Sequence, residues 1–388
     1  MFFQKPQPAP QTTETMARLP ALDGARGLAV LLVLLDHASD AEMRIFPGAD
    51  LNRASKYGVY LFFVLSAFLL TYQFSVRRRE EFTQARTWLN YALRRFLRIF
   101  PAFAAVLLAY VLMGKLELSG MGQHLLLREG ERHFWTIPVE VKYYFLLPFI
   151  ALALFWAGRK HWLLGIAAGI GACAVGFGFS HLERLWSIRD AVLLTPLLAP
   201  FLIGSAIALA SGALLRNPAA QRRLAVWLEV GALVAVVAIA MRLPAVHNLL
   251  FTAKPFFGKE FDPVICGALW SVFLLGALHG KGLLARCMEW MPMRFLGFIS
   301  FSAYLWHGKF LSDVDDFPAP APVRLLVYLA VVLVVATVSY WLLERPLAKL
   351  RLGRRSDRDA KSGVRSAAQS GIGTGSLAGK AVPVPEAA

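Results

Sequence analysis

Two basic residues of unlike kind interrupt the first apolar run of the sequence, LDGARGLAVLLVLLDHAS: Arg26 and His37. A guanidinium suits phosphate, whereas an imidazole titrates near neutrality and takes a proton from a hydroxyl. At 100° per residue the two return to within about 20° of one helix face, with an axial separation of about 16 Å. Ionisable groups at membrane depth are costly and usually functional. An arginine near the inner interface would leave the histidine deep in the bilayer, at or past its midplane, so the spacing suits a long ligand with an anionic head at the inner surface and a reactive end inside the membrane. The alternative is that Arg26 reaches lipid head groups along its stem and His37 is a packing residue. Asp23 before Gly24 is expected to cap the start of this helix.

Three further constellations carry candidate chemistry. YALRRFLRIFPAF places Arg95 and Arg98 one helical turn apart at the predicted inner mouth of a helix. That spacing fits a clamp on phosphate, and equally fits positive charge facing lipid head groups, the reading preferred for Arg77, Arg78 and Arg79. In HFWTIPVEVKYYFLLPF, Glu140 falls about a turn into an apolar segment, where a carboxylate must pair, neutralise or line a polar cavity. His133 and Trp135 precede it, and Trp135, Tyr143 and Tyr144 are read as an aromatic belt in preference to a sugar platform. FLGFISFSAYLWHGKF carries His307 with Ser300, Ser302 and Tyr304, which could line a cavity or bond helix to helix. Glu344, Arg345 and Pro346 are read as a helix terminus.

The elements that position these residues follow from composition. Hydrophobic residues make up 57% of the 388 and charged residues 17%, and the mean hydropathy is +0.53. These values exclude an ordinary soluble domain and predict an all-α, polytopic integral membrane protein. Taking about twenty apolar residues per crossing, about ten transmembrane helices are predicted. They fall near 22–38, 57–76, 97–113, 138–157, 162–180, 191–212, 224–242, 263–280, 295–312 and 323–346. The net charge of +16 lies in short clusters between these runs, as topology requires, and no nucleic-acid partner is expected. Loops on the side of Arg77–Arg98 are the richer in Lys and Arg, which places both termini in the cytoplasm.

Residues 1–20 are read as a flexible tail without a cleaved signal, 21–350 as the transmembrane domain, and 351–388 as a disordered basic tail rich in Ser, Gly and Ala. Cys173, Cys266 and Cys287 lack CxxC spacing and indicate neither a disulfide framework nor a zinc site.

Taken in order over Pro20–Lys349, these segments resemble acyltransferase family 3, the integral-membrane O-acyltransferases. LDGARGLAVLLVLLDH resembles its opening motif, GVYLFFVLSAFLL its second helix, RRFLRIFP its paired arginines, HFWTIPVE its histidine, tryptophan and glutamate segment, and ISFSAYLWH and SYWLLERP its closing helices. The chain departs from the family at Tyr60, Ala67, Pro138 and Val141, where relatives commonly have Asp, Gly, Ser and a second acidic residue. Some relatives carry an additional C-terminal esterase-like domain, for which this sequence is expected to leave no room.

The resemblance implies transfer of an acyl group, most often acetyl, from acyl-CoA (typically acetyl-CoA) to a hydroxyl of a saccharide or other cell-envelope acceptor. On that basis Arg26, Arg95 and Arg98 are expected to hold the CoA phosphates. His37 is expected to act as general base on the acceptor hydroxyl or, in the alternative, to carry the acyl group itself, and Glu140 to orient its imidazole or bind the acceptor. His133, Trp135 and His307 are expected to contact the acceptor. No metal and no permanently bound cofactor is expected. The expected surroundings are the lipid bilayer of a bacterial inner membrane and a saccharide or glycolipid acceptor. The competing class is a transporter or flippase of envelope lipids or saccharides, whose mark would be broken helices and internal repeats; no clear repeat is visible.

Overall fold

The computed structural model describes residues 19–44, 50–75, 84–130, 132–158, 171, 194, 197–215, 217–250, 262–348 and 350. Among them helix is the only regular secondary structure. In chain order the elements are α1 (Pro20–Asp40), α2 (Ala54–Ser75), α3 (Ala85–Leu112), α4 (Leu118–Leu125), a 3-10 turn (Arg132–Trp135), α5 (Thr136–Gly158), α6 (Leu198–Leu215) and α7 (Pro218–Ala240). There follow α8 (Pro244–Leu250), α9 (Asp262–His279), α10 (Leu283–Glu289), α11 (Met291–Asp315), α12 (Ala321–Ser339), a π-helical turn (Tyr340–Glu344) and α13 (Arg345–Leu347). Each predicted segment but the fifth coincides at least in part with a helix. The segment 162–180, the start of 191–212, Arg77–Arg79 and both tails lie outside the described residues, Gly171 and Leu194 aside.

Five of these stretches are long and apolar enough to cross a membrane: Ala54–Phe74, Ala85–Leu112, Pro218–Ala240, Asp262–His279 and Ala321–Leu347. α1 has the length but carries Asp23, Arg26, Asp36 and Asp40, the groups that make it a candidate for chemistry.

Two boundaries differ from expectation for local reasons. α1 starts at Pro20, whose missing N–H costs nothing in a first turn and whose fixed φ favours the helix. Asp23 therefore lies inside the first turn, at the positive end of the helix dipole, and is not the cap. α3 starts at Ala85 because its first half is amphipathic, with Arg86, Arg94, Arg95 and Arg98 interleaved with Trp88, Leu89 and Tyr91. Arg95 and Arg98 thus sit in mid-helix and not at its mouth.

Apolar surface gives helices little reason to associate inside lipid, so small residues and polar bonds must join them. α1 runs antiparallel to α2: the amide of Leu51 donates to Ser39 Oγ at 3.3 Å, and Asn52 Nδ2 donates to Asp40 Oδ1 at 3.3 Å. α1 runs parallel to α11, and here the backbones touch. A Cβ at Gly27 would lie 2.0 Å from the carbonyl oxygen of Met293, and one at Gly297 would lie 1.8 Å from that of Asp23. On the other side of α2, Thr71 Oγ1 donates to Ser205 Oγ at 2.8 Å, and Tyr143 OH pairs with the same oxygen at 2.7 Å.

Two apolar clusters fill the bundle. The larger gathers α1, α2, α3, α5, α6 and α9 around Phe63, Phe103, Tyr143 and Phe273; the smaller joins α1 and α11 to α12 around Leu34, Ile299 and Tyr328. Near the α9 N-terminus the buried carboxylate of Asp262 is held by both Arg53 and Arg242.

Candidate active site

α1, α2, α3, α5 and α11 together wall a cavity of about 290 Å³. Into it α1 contributes Arg26, α2 Ser66 and Gln73, α3 Arg95 and Arg98, α5 Glu140 and Tyr144, and α11 Ser300 and Tyr304. Phe62, Phe63, Ile99, Ile137 and Phe301 supply much of its apolar wall. The structure therefore brings together all three arginines and the glutamate that sequence reasoning had singled out.

The arginines differ in how they are held. Arg98 Nη1 donates to Glu344 Oε2 at 2.8 Å. Arg26 is only loosely paired, its Nη1 lying 3.9 Å from Asp23 Oδ1. The Arg95 guanidinium sits 5.6 Å over the Tyr144 ring, and its buried Nε has no partner among the described residues. Guanidinium groups with donors to spare, in a partly apolar cavity, are receptive to phosphate.

Glu140 Oε1 accepts from Ser66 Oγ at 2.6 Å and from Tyr144 OH. Tyr144 thereby links the carboxylate to the Arg95 guanidinium. Both Tyr143 and Tyr144 are buried, which corrects the aromatic-belt reading: they pack inward because their hydroxyls have partners inside the bundle.

Beyond the cavity lie three histidines from three distant parts of the chain. His37 stacks on His307, with ring centroids 5.1 Å apart and planes at 23°, and His307 meets His133 at 4.5 Å. His307 Nδ1 lies 2.6 Å from the carbonyl oxygen of Tyr304. A carbonyl can only accept, so this nitrogen carries a proton. His133 Nε2 likewise donates to the carbonyl of Leu305 at 3.2 Å. Burial pushes the His133 imidazole down to about 3, which keeps it neutral. It is packed against Gly308, where an added Cβ would lie 2.5 Å from His133 Cε1. Trp135 is half-buried, in an edge contact with Phe63 at 6.4 Å.

None of the three histidines lines the cavity; Tyr304 connects the two regions. It lines the cavity and its ring lies 5.5 Å from that of His307, while its hydroxyl donates to the carbonyl of His133 and accepts from Thr136 Oγ1 at 2.9 Å. Ser300, Tyr304 and His307 recur at i, i+4 and i+7, a single stripe of α11. Alongside this stripe runs the Arg26–His37 stripe of α1. Glu140 and His37 are not in contact: the carboxylate bonds to Ser66 and Tyr144, while the imidazole meets His307. Nearest to His37 on its own helix are Asp36 and Asp40, the three offering ligand-type atoms within 4.8 Å of one another. Asp36 is 2% exposed, and its Oδ1 has no partner among the described residues.

Ser66, Tyr144, Asp36 and Glu344 were not singled out as functional by sequence. The available signal for each was a polar atom isolated in an apolar helix or at its end.

The described residues thus form an all-helical structure with five stretches able to cross a membrane, in which three arginines line one cavity and Tyr304 links that cavity to a stacked histidine pair. The chain belongs to acyltransferase family 3, whose acyltransferase-domain model matches residues 19–344. That span contains Arg26, His37, Arg95, Arg98, Glu140 and His307, and ends on Glu344. Among curated relatives, it is 23% identical over 370 residues to the peptidoglycan O-acetyltransferase OatA of Listeria monocytogenes, covering 85% of this chain and 56% of that one. It is 21% identical over 369 residues to the O-acetyltransferase OatA of Staphylococcus aureus, covering 85% and 57% respectively. The chain thus spans little more than half the length of these relatives. No solved structure gives a significant match.

Proposed function

We propose that the chain is a membrane O-acyltransferase that moves an acetyl group from acetyl-CoA to a hydroxyl of a cell-envelope saccharide, and that it lies in a bacterial inner membrane with both termini in the cytoplasm. The observation that carries this reading is the convergence of Arg26, Arg95 and Arg98 on one cavity, with the His37–His307 pair reached through Tyr304. Membership of the family and the names of the relatives supply the reaction class. The parallel course of α1 and α11 supports the alternating traverse on which the ten-helix count rests.

In the proposed reaction the three guanidinium groups hold the phosphates of the donor, and the thioester arm extends along the α11 stripe toward His37. His37 takes the proton of the acceptor hydroxyl as that oxygen attacks the thioester carbonyl. The carbon–sulfur bond breaks, and the thiolate leaves with the proton returned by the imidazolium. The stacked ring of His307 fixes the plane of His37. Glu140 acts at the cavity end by holding Tyr144 beneath Arg95, since it does not meet His37.

Purified full-length protein in detergent, given acetyl-CoA labelled in the acetyl group and a saccharide acceptor, is expected to transfer label. Uptake of saccharide into vesicles without any need for CoA would sink the reading in favour of transport. In the same preparation Arg95→Ala is expected to weaken CoA binding about tenfold or more, the usual cost of a charge-assisted contact. Titration calorimetry at two salt concentrations checks this, because the remaining affinity should also depend less on salt. Unchanged affinity would make Arg95 a topological charge.

A further inference from the structure

We propose that Glu344 is a positioning residue: it fixes Arg98 in the cavity wall and so makes the C-terminal π-turn part of the anion site. The inference deepens the reading of Arg98 as a phosphate ligand and rests on it.

Tyr340–Glu344 continues α12 without interruption, but as a π-helical turn, a rare form that is frequent at functional sites. Its residues point in unlike directions. Trp341 and Leu342 are exposed large apolar side chains, whereas Glu344 is 5% exposed. A carboxylate brought this far inside is costly unless both its oxygens are satisfied. Oε1 accepts from the backbone amide of Ser302 at 3.1 Å and from Ser302 Oγ at 2.6 Å, and Oε2 accepts from Arg98 Nη1 at 2.8 Å. The Ser302 hydroxyl also pairs with Ser339 Oγ at 3.0 Å. One carboxylate therefore ties α11, α3 and the end of α12 together.

Its partner among the cavity arginines is specific. Among the described residues Arg26 and Arg95 lack such a clamp, whereas Arg98 is gripped on one nitrogen by Glu344 and rests 5.6 Å from the Phe301 ring, yet still lines the cavity. A planar guanidinium held on one edge keeps donors on the other for a ligand. A residue needed only to anchor the last helix would have no reason to end on a cavity cation. The charge of Glu344 also offsets one of three positive charges that would otherwise repel one another across the cavity.

The test is a double-mutant cycle on the full chain in detergent, using Glu344→Gln, Arg98→Ala and the pair. Binding of CoA and of inorganic pyrophosphate is measured, and a thermal melt is recorded for each variant. Glu344→Gln is expected to weaken binding of both probes about tenfold in the wild-type background and by less than about twofold in the Arg98→Ala background, since contacts in one network couple. Glu344→Asp, which keeps the charge, should recover part of the loss, and it carries the cycle if the glutamine variant does not fold. An equal loss in both backgrounds, or no loss in either, overturns the proposal and leaves the donor reading intact. Binding of pyrophosphate without CoA rejects the donor reading, and the pyrophosphate cycle then decides the role of Glu344. If the wild type binds neither probe, both fall.

Discussion

Exchanging His37 for alanine is expected to lower acyl transfer about a thousandfold, the middle of the range for a lost general base, while CoA binding stays within about twofold of wild type because the arginines are untouched. The split follows from the structure: Arg26, Arg95 and Arg98 line the cavity, whereas His37 lies beyond it against His307. Transfer of labelled acetyl and CoA calorimetry on the same preparation check the two halves. Full activity in the variant would remove His37 from the mechanism. Recovery of acyl-histidine from a quenched wild-type reaction would replace direct transfer with an acyl-enzyme.

The second large effect is structural. Gly297→Val is expected to destabilise the protein by about 4 kcal/mol or more, beyond the ordinary range for point changes, because the new Cβ would lie 1.8 Å from the carbonyl oxygen of Asp23. Backbone cannot swing aside as a side chain does, so α1 and α11 must part and both histidines must lose register. Gly122→Ala is the control: a Cβ there meets nothing within 4 Å, and a helical Gly→Ala change is neutral or mildly favourable. Fluorescence-detected gel filtration after heating reads both; a Gly297→Val protein that melts like wild type would refute the close packing.

Features set by nearest neighbours along a helix were legible in the sequence. The Arg26–His37 stripe and the Arg95–Arg98 turn needed only helical geometry, and Glu140 needed only the cost of a carboxylate in an apolar run. What was hidden depends on helices meeting from afar. His37 and His307 are brought together by the parallel packing of α1 and α11, and His133 joins them from the 3-10 turn before α5; no local spacing encodes either meeting. Arg98 finds Glu344 across 246 positions, and Tyr144 looked like an interfacial aromatic until its hydroxyl met Glu140. The early start of α3 escaped because hydropathy detects apolar length, and the first half of that helix is amphipathic.

The glycine contacts between α1 and α11 have a further consequence for the proposed donor. Arg26 and His37 ride on one rod braced against another, so the distance between the proposed phosphate grip and the proposed base is set at about 16 Å by helical rise and cannot be adjusted by sliding. Such a pair acts as a gauge. A thioester on a truncated arm would be gripped by its phosphates yet stop short of the imidazole, and one stripped of its phosphates would have the reach without the grip. Discrimination among donors would then be a matter of length, written into the spacing of two residues on one helix.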